Sequence, residues 1–264
     1  FYYWLLDAYG NVPIVTSFAT AEENPANRTR AEVYAFVESE LEANVPLLEK
    51  KKDGSTYARM NYYAGKALQA KLYLNAGVYK GAPEWAKAAA ACDEVINSGA
   101  YTLESNYFNN FNTKNDGSSE NVFVIPNDEI NAQGFNLAQM TLHYQSQFTY
   151  NLQQQPWNGY CAEQEFYNSY SDDDLRKGQY GNRAVRGNFV SGPQFAADGT
   201  RLTDSSAEAA DPDGPELTFT PEVNALEPNA LRQAGVRVGK FEYANGATPN
   251  LSNDFPIFRY SDVL

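Results

Sequence analysis

Aromatic rings and side-chain amides occur together in one polar stretch near the middle of the chain. This stretch contains Tyr144, Gln154, Trp157, Asn158 and Tyr160 and has no sustained helical or strand period. Aromatic faces match the apolar face of a sugar ring, and planar amides offer paired hydrogen-bonding atoms to its hydroxyl groups. Loops carry binding residues more often than regular elements do. We therefore predict these five side chains as a binding site for a neutral, hydroxylated ligand.

A second interpretation of the same rings is structural. Trp157 and Tyr160 are large, and aromatic side chains of this size usually bury much of their surface. They could therefore pack the loop onto neighbouring helices instead of contacting a ligand. The sequence leaves both interpretations open.

Acidic residues cluster just after this stretch, at Glu163, Glu165, Asp172, Asp173 and Asp174. A glycoside hydrolase needs one protonated and one ionised carboxyl group a few ångströms apart. Clustering in sequence does not supply that geometry, and acids on a polar stretch are usually solvated or cap a local turn. We therefore predict no catalytic residues in this cluster.

The remaining candidates for catalysis or metal binding are weaker. His143 has no serine or cysteine nucleophile motif near it, so a packed or surface histidine is the simpler interpretation. The three consecutive aspartates, or Asp211 with Asp213, could offer oxygen ligands to calcium, but no loop with EF-hand spacing is present. We predict neither a bound metal nor a cofactor.

Charge and composition exclude several classes of partner. The formal charge of −13 leaves no basic surface to displace counterions from phosphates, so we expect no nucleic-acid partner and no affinity for anionic membranes. The sequence contains no apolar run of about 18 residues, the length a spanning helix needs. Cys92 and Cys161 fit neither a paired metal motif nor a disulfide-rich scaffold.

Helical periodicity dominates the first part of the chain. Thr29 and Glu32 form a capping box at the start of a predicted helix over residues 29–48. A second helix is predicted from residue 61 to about residue 79, and a third ends near Gly99. The second and third helices match one degenerate tetratricopeptide repeat. Such helix pairs bury their faces by stacking on neighbouring pairs.

Loops dominate the rest of the chain. A buried strand is predicted over residues 122–125, a hairpin turn over 195–200 and a half-exposed strand over 236–243. The predicted fold is therefore mainly α. A tetratricopeptide-like platform over residues 1–115 would carry a loop-rich ligand lobe with short strands over residues 116–264, within one structural unit.

Several motifs follow one another in the order seen in a known family. They are FYYWLLDAYGNVPIV at residues 1–15, AAAACDEVINSGAYTL at 88–103, SENVF at 119–123, Glu165-Phe166 with Asp174-x-Arg176, and NDFPIFRYSDVL at 253–264. Together they resemble the SusD/RagB-like family of nutrient-binding outer-membrane lipoproteins. Each motif is weak alone, but their order spans almost the whole chain.

The resemblance implies a function. A SusD-like protein binds oligosaccharide or polysaccharide at the cell surface without cleaving it and delivers it to a SusC-like TonB-dependent transporter in the outer membrane. The lipidated cysteine that anchors the family, its first helices and its later C-terminal helices would lie outside these residues, so we expect an internal fragment of a surface-exposed or periplasm-facing lipoprotein. The alternatives are a tetratricopeptide adaptor that binds a peptide on its concave helical face, and a glycoside hydrolase.

Overall fold

Helices make up most of the regular structure, so the prediction of a mainly α protein is confirmed. The computed structural model describes residues 1–19, 22–205, 214–225 and 230–264. The chain divides into two compact units, and each is built from segments that are separate in sequence. The helical unit consists of Phe1–Leu103, Ser119–Val124 and Pro256–Leu264, and the loop-rich unit consists of Glu104–Ser118 and Ile125–Phe255.

The elements are short outside the first hundred residues. The helices are α1 (Tyr2–Tyr9), α2 (Arg30–Asn44), α3 (Tyr62–Leu74), α4 (Ala76–Lys80), α5 (Trp85–Ile96), α6 (Leu137–Thr141), α7 (Ser146–Tyr150) and α8 (Gln164–Asn168). The strands are β1 (Asn121–Ile125), β2 (Phe189–Val190), β3 (Gly192–Pro193), β4 (Thr218–Phe219), β5 (Arg237–Val238) and β6 (Phe255–Arg259). Single 3₁₀ turns lie at Val45–Leu47, Tyr107–Phe111 and Tyr260–Asp262.

Helix α2 begins where its sequence predicts. The backbone N–H of Glu32 donates to Thr29 Oγ1 at 3.3 Å, and the backbone N–H of Thr29 donates to the Glu32 carboxylate at 2.8 Å. This reciprocal pair satisfies two of the backbone donors that a helix start leaves free. The α-helix ends at Asn44, and the last predicted turn is the 3₁₀ segment that contains Pro46.

Helix α3 packs closely against its neighbours because small residues line it. The backbone N–H of Ala64 donates to the Asn61 side chain at 2.9 Å, which caps the helix start. A Cβ atom at Gly65 would lie 2.7 Å from a methyl carbon of Val45, so only glycine permits this approach. Ala64 and Ala67 are buried, as expected for a helix between neighbours.

The predicted second helix is interrupted, and its single run to residue 79 is wrong. Asn75 has backbone angles of φ −96° and ψ 8°, which separates α3 from α4. Its side-chain amide donates to the carbonyl oxygen of Lys71 at 3.1 Å. Asparagine favours such local bonds over continued helix, so one residue ends a helix that the apolar pattern alone would continue.

Strands β1 and β6 pair with each other as a two-stranded sheet. Val122 of β1 and Phe258 of β6 share a buried cluster with Val95 of α5 and Tyr63 of α3. The predicted strand at residues 122–125 is therefore confirmed. Its partner comes from the far end of the chain and completes the core of the helical unit.

The loop-rich unit is held by short antiparallel pairings. Phe189 of β2 lies opposite Val238 of β5, and Gly192 of β3 lies opposite Phe219 of β4. The predicted hairpin at residues 195–200 is confirmed: an isolated bridge closes it, and the backbone N–H of Ala196 donates to the Thr200 carbonyl at 2.8 Å.

The predicted strand over residues 236–243 is shorter and more buried than its alternation indicates. Only Arg237–Val238 form a strand, and Val236 makes a single bridge to Ala162. Val236 and Arg237 are successive residues, and both are buried. The half-exposed prediction is therefore wrong, because the polar residue of the pattern also points into the protein.

Of the helices in residues 1–19, 22–205, 214–225 and 230–264, none combines the length with the hydropathy that crossing a bilayer requires.

Candidate ligand-binding site

Residues 157–160, termed the ring segment, are fixed to the end of α6 by main-chain hydrogen bonds. The N–H of Trp157 donates to the Gln139 carbonyl at 2.7 Å, and the N–H of Tyr160 donates to the Met140 carbonyl at 3.1 Å. Thr141 Oγ1 adds a bond to the Tyr160 carbonyl at 3.1 Å. The predicted irregular stretch is therefore anchored at both of its rings.

The approach of the ring segment to α6 depends on Gly159. Its N–H donates to the Met140 carbonyl at 2.8 Å. A Cβ atom at this position would lie 2.8 Å from that same oxygen, a distance that real side chains essentially never show. Any other residue would therefore push the ring segment away from α6. The sequence alone does not distinguish Gly159 from other glycines, because the close approach depends on a contact with Met140, 19 residues away.

Asn158 lies at a turn of the chain, and its side chain fixes this turn by hydrogen bonds. Its φ of 54° is in the left-handed region, which asparagine tolerates better than most residues. Its side-chain oxygen accepts from Arg237 Nη2 at 2.7 Å and from Arg237 Nε at 3.2 Å. Its side-chain nitrogen donates to the Arg232 carbonyl at 3.0 Å. Asn158 therefore supports the position of the two rings on either side of it.

Arg237, which holds the Asn158 side chain, is buried. Its side chain donates to the carbonyls of Ala234 at 2.9 Å and Gly235 at 2.8 Å, and its guanidinium lies 4.6 Å from the ring centroid of Phe219. Burial lowers the pKa of Arg237 to about 10, so it remains charged at neutral pH. The sequence pattern does not reveal this role of Arg237, since an arginine in an alternating pattern is usually solvent-exposed.

The two rings of the ring segment are open to solvent. Trp157 is 56% exposed and Tyr160 is 40% exposed. Gln154 is also exposed, and Tyr144 is half-buried next to His143, with their ring centroids 5.3 Å apart. The structure thus brings Trp157, Asn158 and Tyr160 onto one anchored segment. Their role in ligand binding stays a prediction.

His143 is packed, as the simpler interpretation of the sequence predicts. It is fully buried, its Nε2 lies 3.0 Å from Asp204 Oδ1, and its Nδ1 accepts the backbone N–H of Gln145 at 3.1 Å. This pattern assigns the proton to Nε2. Burial lowers the pKa of His143 to about 4, although the neighbouring Asp204 carboxylate opposes the shift. Arg232 Nε also contacts Asp204, at 3.1 Å.

The acidic cluster consists of exposed or ion-paired carboxylates. Arg176 donates to both oxygens of Asp174, from Nη2 to Oδ2 at 2.6 Å and from Nε to Oδ1 at 3.0 Å, and these bonds lower the pKa of Asp174 to about 2. Asp172 accepts from Lys177 at 2.8 Å. Glu163 and Glu165 are exposed at the start of α8.

The consecutive aspartates are also candidate metal ligands, as are Asp211 and Asp213. Asp211 and Asp213 lie outside the described residues. Within the part of the chain that the structure describes, no three or more histidine, cysteine, aspartate or glutamate side chains are grouped so as to hold a metal ion.

Comparison with known proteins places the chain beside a group of carbohydrate-binding proteins. No model of a known protein family matches it. Starch-binding protein SusD of Bacteroides thetaiotaomicron is 34% identical over 116 residues, which are 44% of this chain and 20% of SusD. The chain thus aligns with only a fifth of this curated relative.

Two solved structures match 99% of the chain. A SusD superfamily protein from Parabacteroides distasonis matches over 50% of its own length with a TM-score of 0.73 and 20% identity. Surface glycan-binding protein A from Bacteroides thetaiotaomicron, solved in complex with laminarihexaose, matches over 53% of its length with a TM-score of 0.66 and 22% identity. The chain therefore shares their fold and spans about half their length.

Proposed function

Because this chain is a SusD-like protein, by fold over its whole length and by sequence over 116 residues, we propose that it binds an oligosaccharide or polysaccharide at the cell surface. The observation that carries the proposal is the exposure of Trp157 and Tyr160 on a segment whose backbone is anchored to α6. Two similar proteins, a starch-binding protein and a surface glycan-binding protein in complex with laminarihexaose, support a glycan as the class of ligand.

Binding would use the apolar faces of the sugar rings. Trp157 and Tyr160 offer flat apolar surfaces with a polar edge, and stacking on them removes C–H groups of the sugar from water. Gln154 and Tyr144 would add hydrogen bonds to hydroxyl groups. Asn158, which is held by Arg237, would keep the rings in place. A preformed surface loses little conformational entropy when the ligand arrives.

We expect binding without cleavage. Glycoside hydrolysis needs a carboxyl group that is protonated near neutral pH beside one that is ionised. Hydrogen bonds from Arg176 instead lower the pKa of Asp174, and bonds from Ser171 lower that of Asp173. These carboxylates are suited to ion pairing and not to proton donation.

Delivery to a transporter is the second half of the proposal. A SusC-like TonB-dependent transporter would receive the captured glycan, and the helical unit would be the docking surface. Leu47 and Val78 are exposed large apolar side chains of this unit, at 80% and 67%. Attachment to the outer membrane would rest on a lipid anchor outside these residues.

The proposal is tested by affinity electrophoresis of the full chain in gels that contain polysaccharide. A panel of starch, laminarin and other neutral glycans should retard the wild type. Trp157→Ala and Tyr144→Ala should reduce the retardation, whereas Trp85→Ala is a control, because Trp85 is 67% exposed but lies in the helical unit. If Trp157→Ala and Tyr144→Ala are retarded like the wild type on every glycan, the site assignment is wrong.

Two further measurements separate the alternatives. Calorimetric titration with oligosaccharides and with peptides distinguishes a glycan-binding protein from a tetratricopeptide adaptor. Co-purification from outer-membrane extracts tests the transporter: Leu47→Glu should weaken recovery of a TonB-dependent barrel, and unchanged recovery would contradict docking at this surface.

A further inference from the structure

A separate cavity of about 200 Å³ lies within the loop-rich unit. Aromatic rings form part of its wall, among them Tyr150, Phe241 and Tyr243, and polar side chains including Arg183 complete it. None of the described residues that line it comes from the ring segment. The volume is below the roughly 300–1,000 Å³ of common small-molecule pockets, which limits its occupant to a single small ring.

Arg183 offers donors that the protein itself does not use. Its Nη1 lies 3.3–3.4 Å from three carbonyl oxygens, those of Thr149, Phe195 and Ala196, and these distances are long for N–H···O bonds. Its Nη2 and Nε have no partner in the part of the chain that the structure describes. Arg183 is also exposed, so a ligand in the cavity can reach the free edge of its guanidinium.

Tyr150 offers a hydroxyl group in the same cavity. Its ring packs edge-on against Tyr243, with centroids 5.4 Å apart. Burial raises the pKa of Tyr150 to about 12, so the phenol stays protonated at neutral pH. Among the described residues its hydroxyl has no hydrogen-bond partner. A ligand hydroxyl could therefore both donate to it and accept from it.

The charge around the cavity is positive, although the protein as a whole has a charge of −13. Arg186 also lines the cavity, and its guanidinium is held by Asn112 Oδ1 at 2.5 Å and by the Lys240 carbonyl at 2.9 Å. Among the described residues, Glu242 is the one carboxylate in the lining, and it already accepts the backbone N–H of Thr113 at 2.7 Å. The described lining therefore contains the two guanidinium groups of Arg183 and Arg186 and one carboxylate, which already accepts a hydrogen bond.

We propose that this cavity binds a single sugar ring that carries a carboxylate, with Arg183 contacting the carboxylate and Tyr150 contacting a ring hydroxyl. Arginine recognises carboxylates through two parallel N–H···O bonds, and its free edge provides that geometry. The aromatic wall would cover the apolar face of the ring. The site is distinct from the ring segment, so either can fail without the other.

Ligand-observed NMR and calorimetry at low salt test the proposal with D-glucuronate as the probe. D-glucose has the same ring without the charge, and acetate has the charge without the ring. We expect glucuronate to bind at least about tenfold more tightly than either, since a charge-assisted hydrogen bond contributes more than a neutral one. Equal affinity for glucose and glucuronate would overturn the proposal.

Single substitutions test whether glucuronate binds in this cavity. Arg183→Gln should weaken glucuronate binding about tenfold, and Tyr150→Phe should weaken it by a smaller factor. The matched control is Arg59→Gln, which removes an exposed arginine of the helical unit and should change nothing. Trp157→Ala should also leave glucuronate binding intact. Wild-type affinity in a folded Arg183→Gln protein, or loss of binding in Trp157→Ala, would place glucuronate outside this cavity.

Discussion

The carboxamide of Asn158 and the guanidinium of Arg237 are joined by two hydrogen bonds, of 2.7 Å from Nη2 and 3.2 Å from Nε, although the residues are 79 positions apart. Arg237 is 2% exposed, whereas Trp157, the neighbour of Asn158, is 56% exposed. A buried cation thus holds the turn from which an exposed ring projects. This arrangement links the stability of the interior to the geometry of the proposed binding surface.

Removal of the Asn158 side chain should weaken both folding and glycan binding. Asn158→Gly keeps the left-handed backbone accessible but leaves the buried Arg237 without its carboxamide partner, at a cost of about 1–3 kcal/mol. Urea unfolding measures the stability, and affinity electrophoresis measures how strongly the glycan retards the protein in the gel. Asn151→Gly is the matched control, since Asn151 also has a left-handed φ of 49° but is exposed. Equal effects of the two variants would contradict a special role for Asn158.

A methyl group at residue 159 should displace the ring segment. Gly159→Ala places a carbon 2.8 Å from the Met140 carbonyl oxygen, and we expect a destabilisation of about 1–3 kcal/mol from the resulting shift. Thermal or urea unfolding measures it. Gly117→Ala is the control because a Cβ there meets nothing within 4 Å. The close approach would be refuted by a Gly159→Ala protein as stable as Gly117→Ala.

The buried His143 should make the protein less stable in mild acid. Its pKa is about 4 in the folded protein and about 6.5 when unfolded, so the unfolded chain binds the proton first. This contribution to stability is fully present above pH 6.5 and is lost as the pH falls through 4. Over the 2.5 pKa units between these values it amounts to about 3 kcal/mol at most.

His143→Gln removes the titration and provides the comparison. The variant should be less stable than wild type at pH 7.5, but the difference between the two should shrink as the pH falls from 6.5 to 4. Urea midpoints at a series of pH values measure this. Both proteins contain the same carboxylates, so the difference between their urea midpoints reports the titration at residue 143. Parallel pH profiles for the two proteins would exclude His143 as the source of the loss of stability in acid.

The contribution of the Trp157 ring should scale with its size. Trp157→Ala removes the whole apolar face and should lower the affinity for the glycan that retards the wild type at least about tenfold. Trp157→Phe keeps a smaller ring and should lose less affinity. Calorimetry with the oligosaccharide that corresponds to that glycan gives both affinities. An unchanged affinity for the alanine variant, or equal losses for the two, would rule out ring stacking.

Catalysis should be absent. Incubation of the wild type with the polysaccharide that retards it in gels should produce no new reducing ends. The Glu163→Gln and Asp174→Asn variants should likewise produce none. If reducing ends do form and either substitution abolishes them, the protein is a hydrolase and the binding proposal needs revision.

Local sequence determined the features that depend on neighbouring residues. The capping box of Thr29 and Glu32 starts α2, and the hairpin at residues 195–200 closes as predicted, because these structures need only bonds between residues a few positions apart. The aromatic and amide composition of residues 144–160 predicts a ligand surface there, and that role stays a prediction. The break at Asn75 was missed, because its side chain competes with a helix that the apolar period supports.

Only the tertiary structure decided which of these side chains are exposed and what holds them. Strand β6 joins β1 across more than 130 residues, and Arg237 enters the interior because carbonyl groups and Asn158 satisfy its donors there. No local pattern encodes such pairings, since burial of a charged group depends on the partners that distant segments bring to it. For the same reason the exposure of Trp157 and the burial of His143, 14 residues apart, were both open until the fold placed them.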